Sequence, residues 1–169
     1  MPVDSQLFDL ATRVGQRLLA ARLRIVTAES CTGGWVAKAM TDVSGSSQWF
    51  ECGYVTYSNT AKMRDIGVSE QTLLAHGAVC EETVREMALG ALRVSGAEVA
   101  IAVSGIAGPE GGTPGKPVGT VWFGVGFHVG GEPVLSSHRE LFEGDREAVR
   151  RRSVEYALEL ILRLDLSGE

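Results

Sequence analysis

Val99 to Val103 is an unbroken apolar, β-branched run, and a run of this kind suits a strand covered on both faces. Such a strand needs helices above and below it, and the rest of the chain offers them. Between Asp4 and Leu23, apolar residues recur at Leu7, Leu10, Ala11, Val14, Leu18 and Ala21, the stripe of an amphipathic helix with Asp4 or Ser5 as its cap. Arg24 to Ala28 reads as a short strand, Glu29 to Gly34 as a sharp loop, and the stretch to about Asp42 as a helix. Phe50 to Tyr57 reads as a second strand, after which Ser58 or Asn59 caps a short helix carrying Lys62. Two further helices follow, the second from about Glu81 to Ser95 with Gly96 as its C-terminal glycine. Val118 to Phe127 and Val134 to Phe142 read as a hairpin turned at Gly130-Gly131, and Asp145 caps a last helix. This interleaving predicts an α/β fold: a single-domain three-layer α/β/α sandwich with a mixed β-sheet, spanning residues 1–169.

The charge balance narrows the function classes. A net charge of -5 argues against a general nucleic-acid binder, whose phosphate contacts need a concentrated basic surface. Cys31, Cys52 and Cys80 are odd in number and lack CxxC spacing, which suits free thiols in a reducing compartment, so the expected location is cytoplasmic. No apolar run approaches the ~20 residues of a membrane span, and the acidic N-terminus lacks the features of a signal peptide. The three scattered histidines form no HExxH or paired-cysteine pattern, so neither a metal nor a cofactor is expected.

Ser30 stands between a buried strand and a helix whose first turn contains Gly33 and Gly34. Ligands in α/β sheets bind beyond the carboxyl ends of strands, and the free N–H groups at a helix start suit a developing oxyanion. The position fits a nucleophile, yet Ser30 or Thr32 capping that helix fits the same pattern, and local pattern alone favours the cap. No histidine has an acid arranged beside it as a triad would require, which leaves a lysine whose pKa is lowered by burial as the base. Lys62 is the best candidate, with Tyr57 beside it to orient or relay the proton, and a surface lysine on a short helix is the plain alternative. SxxK is absent at Ser30, because Gly33 holds the fourth position, so any dyad must form across the fold. Cys31 is a rival nucleophile.

SGIAGPEGGTPGKPVG, residues 104 to 119, is the longest irregular segment and has the glycine density of an anion-cradling loop. It is not a Walker A loop, since Pro117 stands where Ser or Thr belongs. Arg146 falls in the first turn of the last helix, where the helix dipole disfavours a cation. A phosphate or carboxylate ligand would explain it, as would a neighbouring acid.

AESCTGG (28–34), GSSQWF with VTYSNTAK (45–62), IGV (66–68), HGAV (76–79), SGIAGPEGGTPGKPVGTVWF (104–123) and FEGDREAVR (142–150) together resemble the C-terminal domain family of the competence/damage-inducible protein CinA. The resemblance covers nearly the whole chain. It implies an amidohydrolase that turns nicotinamide mononucleotide into nicotinate mononucleotide and ammonia, in pyridine nucleotide recycling. It implies Ser30 as nucleophile, Lys62 and Tyr57 as its catalytic partners, and Arg146 as the arginine of the GDR motif. Substrate-binding positions then fall on Thr32, Gly33, Gly34, Ser46, Asn59, Ser104, Gly105, Gly108, Gly111, Gly112, Thr113 and Arg146. The expected partners are a small-molecule nucleotide substrate and a second copy in a homodimer, with no nucleic acid and no membrane. Ser44 departs from the family pattern, where many members have proline, and so does the pair Glu51-Cys52. Two other readings stay open: a nucleotide-binding regulatory module without turnover, and an amidase for another small amide.

Overall fold

The computed structural model describes residues 4–166, in the order α1 (Ser5–Ala21), β1 (Ile25–Glu29), α2 (Trp35–Thr41), β2 (Phe50–Val55), α3 (Asn59–Ile66), α4 (Glu70–His76), α5 (Glu81–Ser95), β3 (Val99–Gly105), β4 (Thr120–Phe127), β5 (Val134–Leu141) and α6 (Arg146–Arg163). The five strands form one sheet in the order β2-β1-β3-β4-β5. β1 is parallel to β2 and β3, while β3–β4 and β4–β5 are antiparallel, so the sheet is mixed.

β1 is buried along its whole length, and β3 is buried up to Gly105, as their apolar sequences require. Alternate side chains feed two cores. Ile25, Val99, Ile101 and Val103 point into one with α1, α2 and α6, whereas Val26, Ala28, Ala100 and Ala102 point into the other with α5. This is the three-layer α/β/α sandwich. The second layer sits unusually close. A Cβ on Gly90 of α5 would lie 1.7 Å from the Ile66 carbonyl oxygen at the end of α3, so only glycine lets these helices touch.

Caps fix the helix starts. Asp4 accepts from the Leu7 N–H at 3.2 Å, Ser58 from Ala61 at 3.0 Å and Asp145 from Ala148 at 2.9 Å. Asp4 also takes the Arg151 guanidinium through two bonds, 2.6 and 3.1 Å long, which tie α1 to α6 and hold the Asp4 carboxyl below its usual pKa. Among the described residues, no helix is long and apolar enough to cross a membrane.

Candidate active site

The carboxyl ends of β1 and β3 meet at Ser30. Its N–H donates to the Val103 carbonyl at 2.9 Å, and on the other side the Thr56 N–H donates to the Glu29 carbonyl at 2.9 Å. The sheet ladder thus runs one residue past β1 and holds the Glu29–Ser30 peptide from both sides. Strand β2 ends at Val55, two residues short of the expected Tyr57, because the backbone there turns its carbonyls toward Lys62.

Lys62 reaches back from α3 beneath this junction and is wholly buried. Its Nζ lies 2.9 Å from Ser30 Oγ, 2.6 Å from the Thr56 carbonyl oxygen and 3.4 Å from that of Tyr57. No carboxylate bonds to it among the described residues, so burial acts almost unopposed and lowers its pKa to about 8. Cys31 is buried also, and burial together with the nearby Glu29 charge pushes its thiol up to about 12, which removes the rival thiolate at neutral pH.

A cleft of about 290 Å³ opens over Ser30. Its walls include Tyr57, Ala78, Val79, Ser104, Gly105, Gly108, Glu110, Gly111 and Arg146. Arg146 donates to the Gly108 carbonyl at 2.7 Å and to the Tyr57 hydroxyl at 3.0 Å, and no acid pairs with it among the described residues. The bland explanation for a cation at this helix start, a neighbouring carboxylate, is therefore absent. Among the described residues, no group of three or more His, Cys, Asp or Glu side chains is placed to hold a metal.

The family model of the CinA C-terminal domain matches residues 7–164. The chain belongs to the CinA C-terminal domain family. Relatives within it include the nicotinamide-nucleotide amidohydrolase PncC of Escherichia coli strain K12, 56% identical over 158 residues and 94% of each chain. The protein of the same name from Pseudomonas putida is 54% identical over 155 residues, covering 92% of this chain and 94% of its own. Among solved structures, a CinA superfamily protein of Klebsiella pneumoniae superposes with a TM-score of 0.86 at 42% identity, covering 92% of this chain and 94% of that one.

Within this CinA C-terminal domain, several expected site residues stand elsewhere. The proton-assisting role expected of Tyr57 has no contact behind it, because its phenol meets Arg146 and only its main-chain carbonyl approaches Lys62. Gly33 and Gly34 precede α2 instead of lying in its first turn, and their φ angles of 60° and 95° make glycine the residue that can bend there. Their N–H groups are engaged, Gly33 with the Ser30 carbonyl at 3.0 Å and Gly34 with the Glu29 carboxylate at 3.1 Å. Thr32 is buried and gives its hydroxyl proton to Glu29 at 2.6 Å. Ser46 lies at the opposite end of the sheet. It precedes β2, which is parallel to β1, and the strand starts pair as Ile25 with Phe50 while Ser30 follows the far end. Asn59, Gly112 and Thr113 are exposed and outside the cleft wall, with Thr113 closing a turn on Lys116.

Two residues of the CinA C-terminal domain site escaped the sequence reading. Glu29, 1% exposed, accepts from Thr32 Oγ1 and from the N–H groups of Gly34, Val36 and Ala37, so this acid, and neither Ser30 nor Thr32, caps α2. An acid just before a helix start was the available signal. Arg150 reaches from α6 to the carbonyls of Cys31 and Thr32, at 3.1 and 3.2 Å, and its place at the end of the FEGDREAVR motif was the available signal.

Proposed function

We propose that this chain deamidates nicotinamide mononucleotide to nicotinate mononucleotide and ammonia, with Ser30 as nucleophile and Lys62 as its base. The observation that carries the proposal is the 2.9 Å contact between Lys62 Nζ and Ser30 Oγ inside a site closed to water on the lysine side. The name shared by its closely similar relatives supports the substrate.

A neutral lysine has two N–H bonds and one lone pair. The Thr56 and Tyr57 carbonyls accept the two N–H bonds, leaving the lone pair for the Ser30 hydroxyl. Lys62 takes the hydroxyl proton while Ser30 Oγ bonds to the carboxamide carbon, and the carbonyl electrons move onto oxygen. With Gly33 and Gly34 engaged and Thr32 wholly buried, the donor for that oxyanion is the N–H of Cys31, the loop residue that lines the cleft beside Ser30. The Lys62 ammonium then returns its proton to the leaving nitrogen and ammonia departs. Water adds to the acyl-enzyme by the same exchange, releasing nicotinate mononucleotide and restoring Ser30.

Arg146 supplies the positive charge for the phosphate, and the glycine-rich loop after β3 lines the ribose, with Ser104, Gly105, Gly108 and Gly111 in the wall. The reaction needs no metal or cofactor. A homodimer in the cytoplasm, acting in pyridine nucleotide recycling, is the setting this reading carries with it.

Ammonia release from nicotinamide mononucleotide tests the proposal. Ser30→Ala is expected to lower kcat by about a thousandfold or more. Near wild-type release from Ser30→Ala overturns it.

A further inference from the structure

The carbonyl contacts of Arg150 reach further than packing requires. Arg150 stands one turn after Arg146 on α6, half-buried, with its guanidinium 5.6 Å from the centre of the Trp35 ring. No carboxylate pairs with it among the described residues. Its Nε donates to the Cys31 carbonyl at 3.1 Å and its Nη2 to the Thr32 carbonyl at 3.2 Å.

Each trans peptide couples a carbonyl to the N–H on its opposite side. The Cys31 carbonyl belongs to the peptide that bears the Thr32 N–H. The Thr32 carbonyl belongs to the peptide that bears the Gly33 N–H, which donates at 3.0 Å to the Ser30 carbonyl, and that last peptide bears the Cys31 N–H. Two chains therefore start at Arg150: one runs to the buried Thr32 N–H, and the other passes through the Gly33 bond to the N–H of Cys31, which lines the cleft. A cation at the head of such a chain polarises every link and strengthens the terminal donor.

We propose that Arg150 is the positioning residue for the oxyanion donor, aiming and polarising the Cys31 N–H without touching substrate. The inference builds on Ser30 as nucleophile in the reading above. It predicts a defect in the transition state and not in binding, since the arginine faces the loop and not the cleft.

The test compares wild type with Arg150→Ala and Arg150→Lys in two assays. One is ammonia release from nicotinamide mononucleotide. The other is phosphonylation of Ser30 by a fluorophosphonate, followed by intact mass, in which Ser30 Oγ bonds to phosphorus, fluoride leaves and Lys62 takes the proton. Arg150→Ala is expected to lose about tenfold to a hundredfold in kcat, with KM changed less than about threefold and an equal slowing of phosphonylation. Added guanidinium restores part of both rates, and Arg150→Lys falls between, having charge without the fork. Unchanged kcat in a folded Arg150→Ala overturns the proposal, as does a loss that appears only in KM. A wild type that phosphonylates but releases no ammonia refutes the substrate reading alone, and the phosphonylation rates then decide the role of Arg150. If Arg150→Ala does not fold, Arg150→Lys carries the comparison by the same criteria.

Discussion

Lys62 Nζ lies 2.9 Å from Ser30 Oγ, and the same burial that brings the amine there makes its charged form costly. No acid bonded to the amine opposes this effect, and the lysine titrates at about 8 from an ordinary value of 10.5.

The proton on Lys62 sets the pH profile. Only the neutral amine accepts from Ser30, so kcat/KM for ammonia release is expected to rise about tenfold per pH unit below 8 and to level above it. A profile flat from pH 6 to 9 would show that another group is the base.

Stability carries the same titration with a definite sign. The folded pKa lies below the unfolded one, so between pH 8 and 10.5 the unfolded chain binds more protons and wild-type stability rises with pH. Below pH 8 the penalty is present in full. Relative to Lys62→Met, wild type should gain up to about 1.4 kcal/mol per pH unit across that window. Urea unfolding of both proteins at pH 7, 8, 9 and 10 measures it, and parallel curves would contradict it.

Glu29 joins the nucleophile loop to α2 through four accepted hydrogen bonds. Replacing it with alanine leaves one buried and two half-buried N–H donors without this partner at a helix start. Glu29→Ala should lose about 2 to 4 kcal/mol in chemical denaturation together with most of the activity, whereas a loss under ~1 kcal/mol would mean that water replaces the carboxylate.

Gly90 meets the Ile66 carbonyl so closely that an added methyl forces α3 away from α5. Gly90→Ala is expected to destabilise by about 2 to 3 kcal/mol and to depress kcat, because α3 carries Lys62. A variant of wild-type activity would mean that α5 yields instead.

Arg146→Ala should raise KM for nicotinamide mononucleotide about tenfold while kcat stays within about threefold, the signature of binding lost equally from ground and transition states. Equal loss in kcat at saturating substrate would assign Arg146 a part in the chemistry.

The sequence made the elements legible where a stripe and a cap coincide, as in α5, whose limits Glu81 and Ser95 were both readable. It also placed Ser30 at a strand end. The Ser30–Lys62 contact joins residues 32 apart through a crossover, which no local pattern encodes. Ser46 shows the opposite failure: its motif adjoins the one with Tyr57 and Lys62 in sequence, yet six strand residues carry the chain from one end of the sheet to the other. Glu29 was missed because its partners are N–H groups of a helix whose first residue the glycines obscure.

One helix suspends both walls of the cleft. Arg146 grips the loop after β3 at Gly108, and Arg150, one turn on, grips the loop after β1 at Cys31 and Thr32. The two loops therefore share one support besides their own bonds, and sliding α6 along its axis pulls on both together. The cleft behaves as a vice whose two jaws hang on one bar, and the residue next to Arg150 pins that bar, because Arg151 locks α6 to Asp4 ahead of α1.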